Sequence, residues 1–136
     1  LSAGEGANIT NTGEIVAQNA DGSGGEILID GGTTGTVDIQ SGRVSADGRS
    51  GRNGGSVTVL GREINVGPTA EVTADGLRGG TIQLGAPGTT SSLDVQGKVS
   101  ASGTTVGGEV NLYGASVSVT GDVLATGGTQ GGRISV

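Results

Sequence analysis

Short runs in which apolar and polar residues alternate recur along the whole chain, three to a period. The first run of each period holds an apolar residue two before an Ala: Ile15 and Ala17, Val44 and Ala46, Val72 and Ala74, Val99 and Ala101, Val123 and Ala125. Successive alanines are 29, 28, 27 and 24 residues apart. A glycine-rich stretch follows and ends in a pair, from Gly24 and Gly25 through Gly54 and Gly55, Gly79 and Gly80, Gly107 and Gly108, to Gly131 and Gly132. Beyond the pair lies a second run, in which Ile27 and Ile29, Val57 and Val59, Ile82 and Leu84, Val110 and Leu112, and Ile134 and Val136 occupy alternate positions. The third run carries Val37 and Ile39, Ile64 and Val66, Leu93 and Val95, and Val117 and Val119, with Ala7 and Ile9 in the same slot of an incomplete earlier unit. Gly13, Gly42, Gly97 and Gly121 reopen the cycle, and Ala70 takes that place in the remaining unit.

Period-2 alternation bounded by glycine is a strand signal, but runs of three to five residues cannot bury an apolar face alone. They must stack. If each period is one turn of a coil, equivalent strands lie about 4.8 Å apart, pair through their backbones and send matching side chains inward in columns. The pattern therefore predicts an all-β parallel β-helix with three short strands per turn and about five turns, right-handed by the strong preference of parallel crossovers. Residues 1–136 read as one segment of a longer solenoid. The expected core columns are Val44, Val72 and Val99; Ala46, Ala74 and Ala101; Val57, Ile82 and Val110; Val59, Leu84 and Leu112; and Val117 with Val119. The alanines mark a tight corner that admits only a methyl group. The glycine pairs are expected at positive φ where the chain leaves and re-enters the coil. Pro68 and Pro87 are expected between strands, where a missing N–H removes no ladder bond.

Composition agrees with thin, regular packing rather than a core anchored on aromatics. The 136 residues include 31 Gly and one Tyr, with no Phe, Trp, Met, Cys or His. The formal net charge of −6 leaves no basic surface for nucleic acid or anionic lipid, so neither partner is expected. No run of 18 apolar residues is present, which excludes a membrane-inserted helix, and the opening "LSAGEGANIT" has no charged segment followed by an apolar one of the export-signal kind.

The unit G-x-V-x-A-x-G-x-x-x-G-G-x-V-x-L-x-G-x-x-V-x-V, complete from Gly97 to Val119, resembles the repeats of large secreted bacterial adhesins of the filamentous haemagglutinin class. The resemblance runs over nearly the whole chain and lies in structural positions. It implies a right-handed β-helix, export through a dedicated outer-membrane transporter pore in two-partner secretion, and a protein that is secreted or held at the bacterial cell surface. The implied role is attachment to host cells, surfaces or biofilm matrix, with a glycan or protein receptor. The Asn-rich motifs of that family's N-terminal secretion domain are not evident, since "ANITNTG" is too short to carry them. The reading is thus a shaft segment, with a glycan-binding module and a polysaccharide-acting β-helix enzyme as alternatives.

Little in the chain supports catalysis. Without His or Cys there is no triad or thiol chemistry, and no cofactor is implied. Asp38 and Asp94 are expected to point outward two turns apart, with Asn65 between, which puts the carboxylates at the wide limit for an inverting glycosidase pair, about 9 to 10 Å. Asp47 and Asp75, in two "ADG" corners, are weak candidates for a cation site with nearby carbonyls; the alternative is that each bonds its own loop backbone. The row Val16, Ser45, Thr73, Ser100, Leu124 is expected to face outward but is too irregular for an ice-binding ladder. Tyr113 is read as surface cover rather than a sugar platform.

Overall fold

A computed structural model describes residues 1–2 and 6–136. These form an all-β solenoid of about five turns in which named strands pair only in parallel. The second runs make a five-stranded sheet that climbs the rod in chain order, Glu26–Asp30, Ser56–Leu60, Thr81–Leu84, Glu109–Leu112 and Arg133–Ser135. Third and first runs share an eight-stranded sheet. In two turns they fuse into single long strands, Thr36–Ser45 and Glu63–Thr73; elsewhere they remain separate, as in Ser92–Val95 and Lys98–Ser100.

Because parallel pairing aligns each residue with its counterpart one period on, alternation along the sequence becomes columns in space. Val44, Val72 and Val99 stand over one another and are fully buried, as are Ala46, Ala74 and Ala101. Val57, Ile82 and Val110 form another column, and Val59, Leu84 and Leu112 a fourth. The last third-strand run departs from this. Val117 is only half-buried and Val119 is 41% exposed, because Ser116–Val119 pairs with Ser92–Val95 on one side and has no turn over its other side among the described residues.

Three local features differ from the sequence expectation. A short strand, Gly76–Arg78, pairs with Gly103–Val106 in a separate two-stranded sheet built from what read as loop. The glycine pairs do not have positive φ; that conformation occurs at Gly22, Gly42, Gly85 and a few other single glycines. The pairs are required by close approach instead. A Cβ on Gly55 would overlap the carbonyl oxygen of Gly25, one on Gly80 that of Gly55, and one on Gly108 that of Gly80. Each second glycine also donates its N–H to the alanine carbonyl of its own turn, as from Gly80 to Ala74 at 2.7 Å, closing the excursion between first and second runs. Finally, Pro68 lies within the strand Glu63–Thr73 rather than between strands. It occupies a bulge: between the Ile39–Val66 and Ser41–Thr69 pairs, Gln40 faces both Gly67 and Pro68, and a bulge residue needs no ladder N–H.

Candidate functional site

Two outward features of the rod carry polar chemistry, one at the alanine corner and one on the third-strand face. At the corner, the middle of the row expected to face water is buried, with Ser45, Thr73 and Ser100 at most 4% exposed, whereas Val16 at one end of the row is 57% exposed and Leu124 at the other is half-buried. Carboxylates of the preceding turn cover two of them, Asp47 over Thr73 and Asp75 over Ser100, while the Ser45 hydroxyl oxygen accepts from the Asp47 N–H at 3.4 Å. Asp47 accepts from the Thr73 hydroxyl at 3.0 Å through Oδ2 and from the backbone N–H of Asp75 at 2.7 Å through Oδ1, while Arg43 forms a salt bridge to it. Asp75 repeats the arrangement one turn on, accepting from the Ser100 hydroxyl at 2.6 Å and the Ser102 N–H at 2.7 Å. Ser102 takes the next step, its hydroxyl oxygen accepting from the Thr126 N–H at 3.3 Å.

The Asp47 and Asp75 carboxylates therefore accept from the turn after their own rather than from their own loop backbone; each staples its turn to the one after it. Among the described residues no group of three or more His, Cys, Asp or Glu side chains is placed to hold a metal ion. Own-loop bonding does occur at Asp21, which accepts from the Ser23 hydroxyl at 2.6 Å and the Ser23 N–H at 2.9 Å. Those bonds, the hydroxyl's first, hold the Asp21 carboxyl below its ordinary pKa, with a smaller contribution from the Arg52 charge.

Beside the corner runs a column of alternating sign, unnoticed in the sequence: Glu14, Arg43, Glu71, Lys98 and Asp122 stand in register on five successive strands. Cross-strand neighbours of opposite charge support the stacking register, and the signal was readable, since each of these residues immediately precedes the apolar residue of a first run.

On the third-strand face, Asp38, Asn65 and Asp94 are partners on consecutive strands. Gln40 donates Nε2–H to Asp38 Oδ2 at 3.0 Å, and Gln96 does the same to Asp94 Oδ2 at 3.0 Å. These residues line one depression together with Val66, Gly67 and Pro68 of the middle strand. The two carboxylates lie two strand spacings apart, about 9 to 10 Å, with the exposed Asn65 amide between. Tyr113 is half-buried and borders a separate depression with Pro87, Thr89 and Ala115.

No protein-family model matches the chain, and no curated protein matches it in sequence. Among solved structures, the fold is similar to the crystal structure of the HMW1 secretion domain from Haemophilus influenzae, with a TM-score of 0.76 and 22% identity. The likeness covers 96% of this chain and 40% of that one, so the chain spans two fifths of the length of that structure. At this identity the likeness is one of fold: the same parallel solenoid, reached with a largely different sequence.

Proposed function

We propose that the chain is a non-catalytic shaft segment of a large secreted bacterial adhesin, a stiff rod that holds a binding region away from the cell. One observation carries this reading above the others: backbone pairing and aliphatic columns continue without interruption from turn to turn, which is what a load-transmitting spacer requires and an enzyme does not. The fold likeness to a secretion domain supports export by a two-partner route, with an outer-membrane transporter pore as the partner and the cell surface or medium as the destination. A host-surface or matrix receptor then belongs to the parent protein as a whole.

The test is an in-frame deletion of residues 44–98 in the parent protein. This removes two whole turns and joins Arg43 to Val99, which occupies the place of Val44. A shaft keeps its export and folding and loses about 10 Å of length, two inter-turn spacings. Abolished export would instead make this segment the part that the transporter reads, and would overturn the spacer reading.

A further inference from the structure

An asparagine followed by glycine readily loses its side-chain amide, because the glycine puts no side chain in the way when its own nitrogen attacks the preceding amide carbon. Of the six asparagines in the chain only Asn53 has that successor; the others precede Ile, Thr, Ala, Val or Leu. The four Asp–Gly pairs form the same ring far more slowly above neutral pH, because an ionised carboxylate resists attack by nitrogen. Asn53 lies exposed on the excursion that leads to Gly54 and Gly55. Both reacting groups are nevertheless held, and by a single residue of the next turn. The Arg78 N–H donates to Asn53 Oδ1 at 3.2 Å, and the Arg78 carbonyl accepts from the Gly54 N–H at 2.9 Å. The Asn53 carbonyl is tied to the turn before, accepting from the Gly24 N–H at 2.9 Å. Gly54 itself is packed so closely that a Cβ there would overlap the Ala74 carbonyl oxygen, which leaves its peptide no room to turn.

We propose that Asn53–Gly54 is a latent self-modification site, sealed by Arg78 in the stacked rod and open only while the turn carrying Arg78 is away. This goes beyond the shaft reading and does not depend on it. Once Arg78 is displaced, the Gly54 nitrogen attacks Asn53 Cγ and the new C–N bond closes a five-membered imide. The side-chain nitrogen leaves as ammonia, taking the proton that Gly54 gives up. Water then adds to either imide carbonyl and breaks its C–N bond, which yields aspartate or, where the main chain now runs through the side-chain carbon, isoaspartate. Either product carries a new carboxylate. Isoaspartate also lengthens the main chain by one methylene, at a point pinned on one side by Gly24 and on the other by Arg78. Ring closure in the stacked rod has to break two bonds to Arg78 at once, one on the attacked amide and one on the attacking nitrogen. The reaction is thereby confined to chains that have not yet stacked this turn, or have lost it, and the rate in the rod is the open-state rate multiplied by the open fraction.

The test is incubation of the 136-residue chain in mildly alkaline buffer, with and without denaturing guanidinium chloride, followed by pepsin digestion in acid and mass spectrometry of the peptides. In denaturant Asn53 should convert to the acid first, ahead of the other five asparagines. In native buffer the same conversion should be slower by about tenfold or more, because only the open fraction reacts. The Gly54 amide, followed by NMR, should be protected from hydrogen exchange. The slowing of conversion should be at least as large as that protection, since the Arg78 carbonyl must release the Gly54 hydrogen before the nitrogen can attack. Conversion at equal pace in both buffers, another asparagine leading in denaturant, an unprotected Gly54 amide, or slowing smaller than the Gly54 protection would overturn the assignment.

Discussion

Replacing Asp75 with alanine removes one acceptor and leaves two donors behind, the Ser102 N–H and the Ser100 hydroxyl. Ser100 is 1% exposed, so water cannot take over its lost bond without entering the corner. An unsatisfied buried donor costs about 1 to 3 kcal/mol. The Ser100 hydroxyl retains a second contact, to Ser102 Oγ at 3.1 Å, and the Ser102 N–H is only partly buried, which puts the sum near the lower end, at about 2 kcal/mol. For a chain of this size such a loss lowers Tm by roughly 6 to 10 °C. Asp75→Asn keeps an oxygen in the same place and should cost under about 1 kcal/mol. Thermal and urea unfolding followed by far-ultraviolet circular dichroism measures both. An alanine variant as stable as the parent chain, or an asparagine variant as damaged as the alanine one, would refute the staple. Both Asp47 oxygens are engaged, and among the described residues no group of three or more acidic, imidazole or thiol side chains gathers to hold a metal ion, so millimolar calcium should not move the melting temperature; a clear rise would restore the cation site.

Val110→Asp buries a charge in a full aliphatic column and should abolish cooperative melting, since an unpaired buried carboxylate costs several kcal/mol or more; an unchanged transition would contradict the register. Gly80→Ala should prevent correct stacking because its methyl group overlaps the Gly55 carbonyl, whereas Gly13→Ala, with open space at that position, should change stability by no more than about 0.5 kcal/mol in the same unfolding assay. Lys98→Glu sets three acids in a row with Glu71 and Asp122 and should cost about 0.5 to 1 kcal/mol, a loss that shrinks in 0.5 M or so sodium chloride; a salt-independent loss would assign the effect to packing. The Asp21 carboxyl, titrated by NMR, should ionise below the ordinary aspartate range. Its contribution to the loop is therefore full at neutral pH and lost as pH falls through the depressed value, and an ordinary value in the Asp21 titration would remove the Ser23 bonds as its cause.

The column register was legible because two signals agree: strict alternation in "GEVNLYG" and "GSVTVLG", and the recurring Ala and glycine pair that reset the phase after loops of different length. Parity misled at the corner. Ser45, Thr73 and Ser100 alternate outward with respect to Val44, Val72 and Val99, yet they are buried, Thr73 and Ser100 beneath the carboxylates of Asp47 and Asp75 from the turn before. That outcome depends on Asp47 and Asp75 reaching into a neighbouring turn, a contact that no single period contains. The glycine pairs were misjudged for a related reason. Composition suggests an unusual dihedral, whereas the constraint comes from a backbone one turn away. On the third-strand face, alternation placed Asp38, Asn65 and Asp94 correctly in one row, but the two glutamines that orient the acids became visible only with side-chain geometry.

The staples also give the rod a sense. Asp47, Asp75 and Ser102 all reach toward the C-terminal neighbour to accept its N–H, so a half-built rod presents waiting acceptors at its advancing tip and ready-made donors at its trailing one. Adding a coil in front completes bonds already offered, whereas adding one behind must bring its own acceptors. Three side chains thus hold out acceptors to each coil that a chain delivered N-terminus first would add.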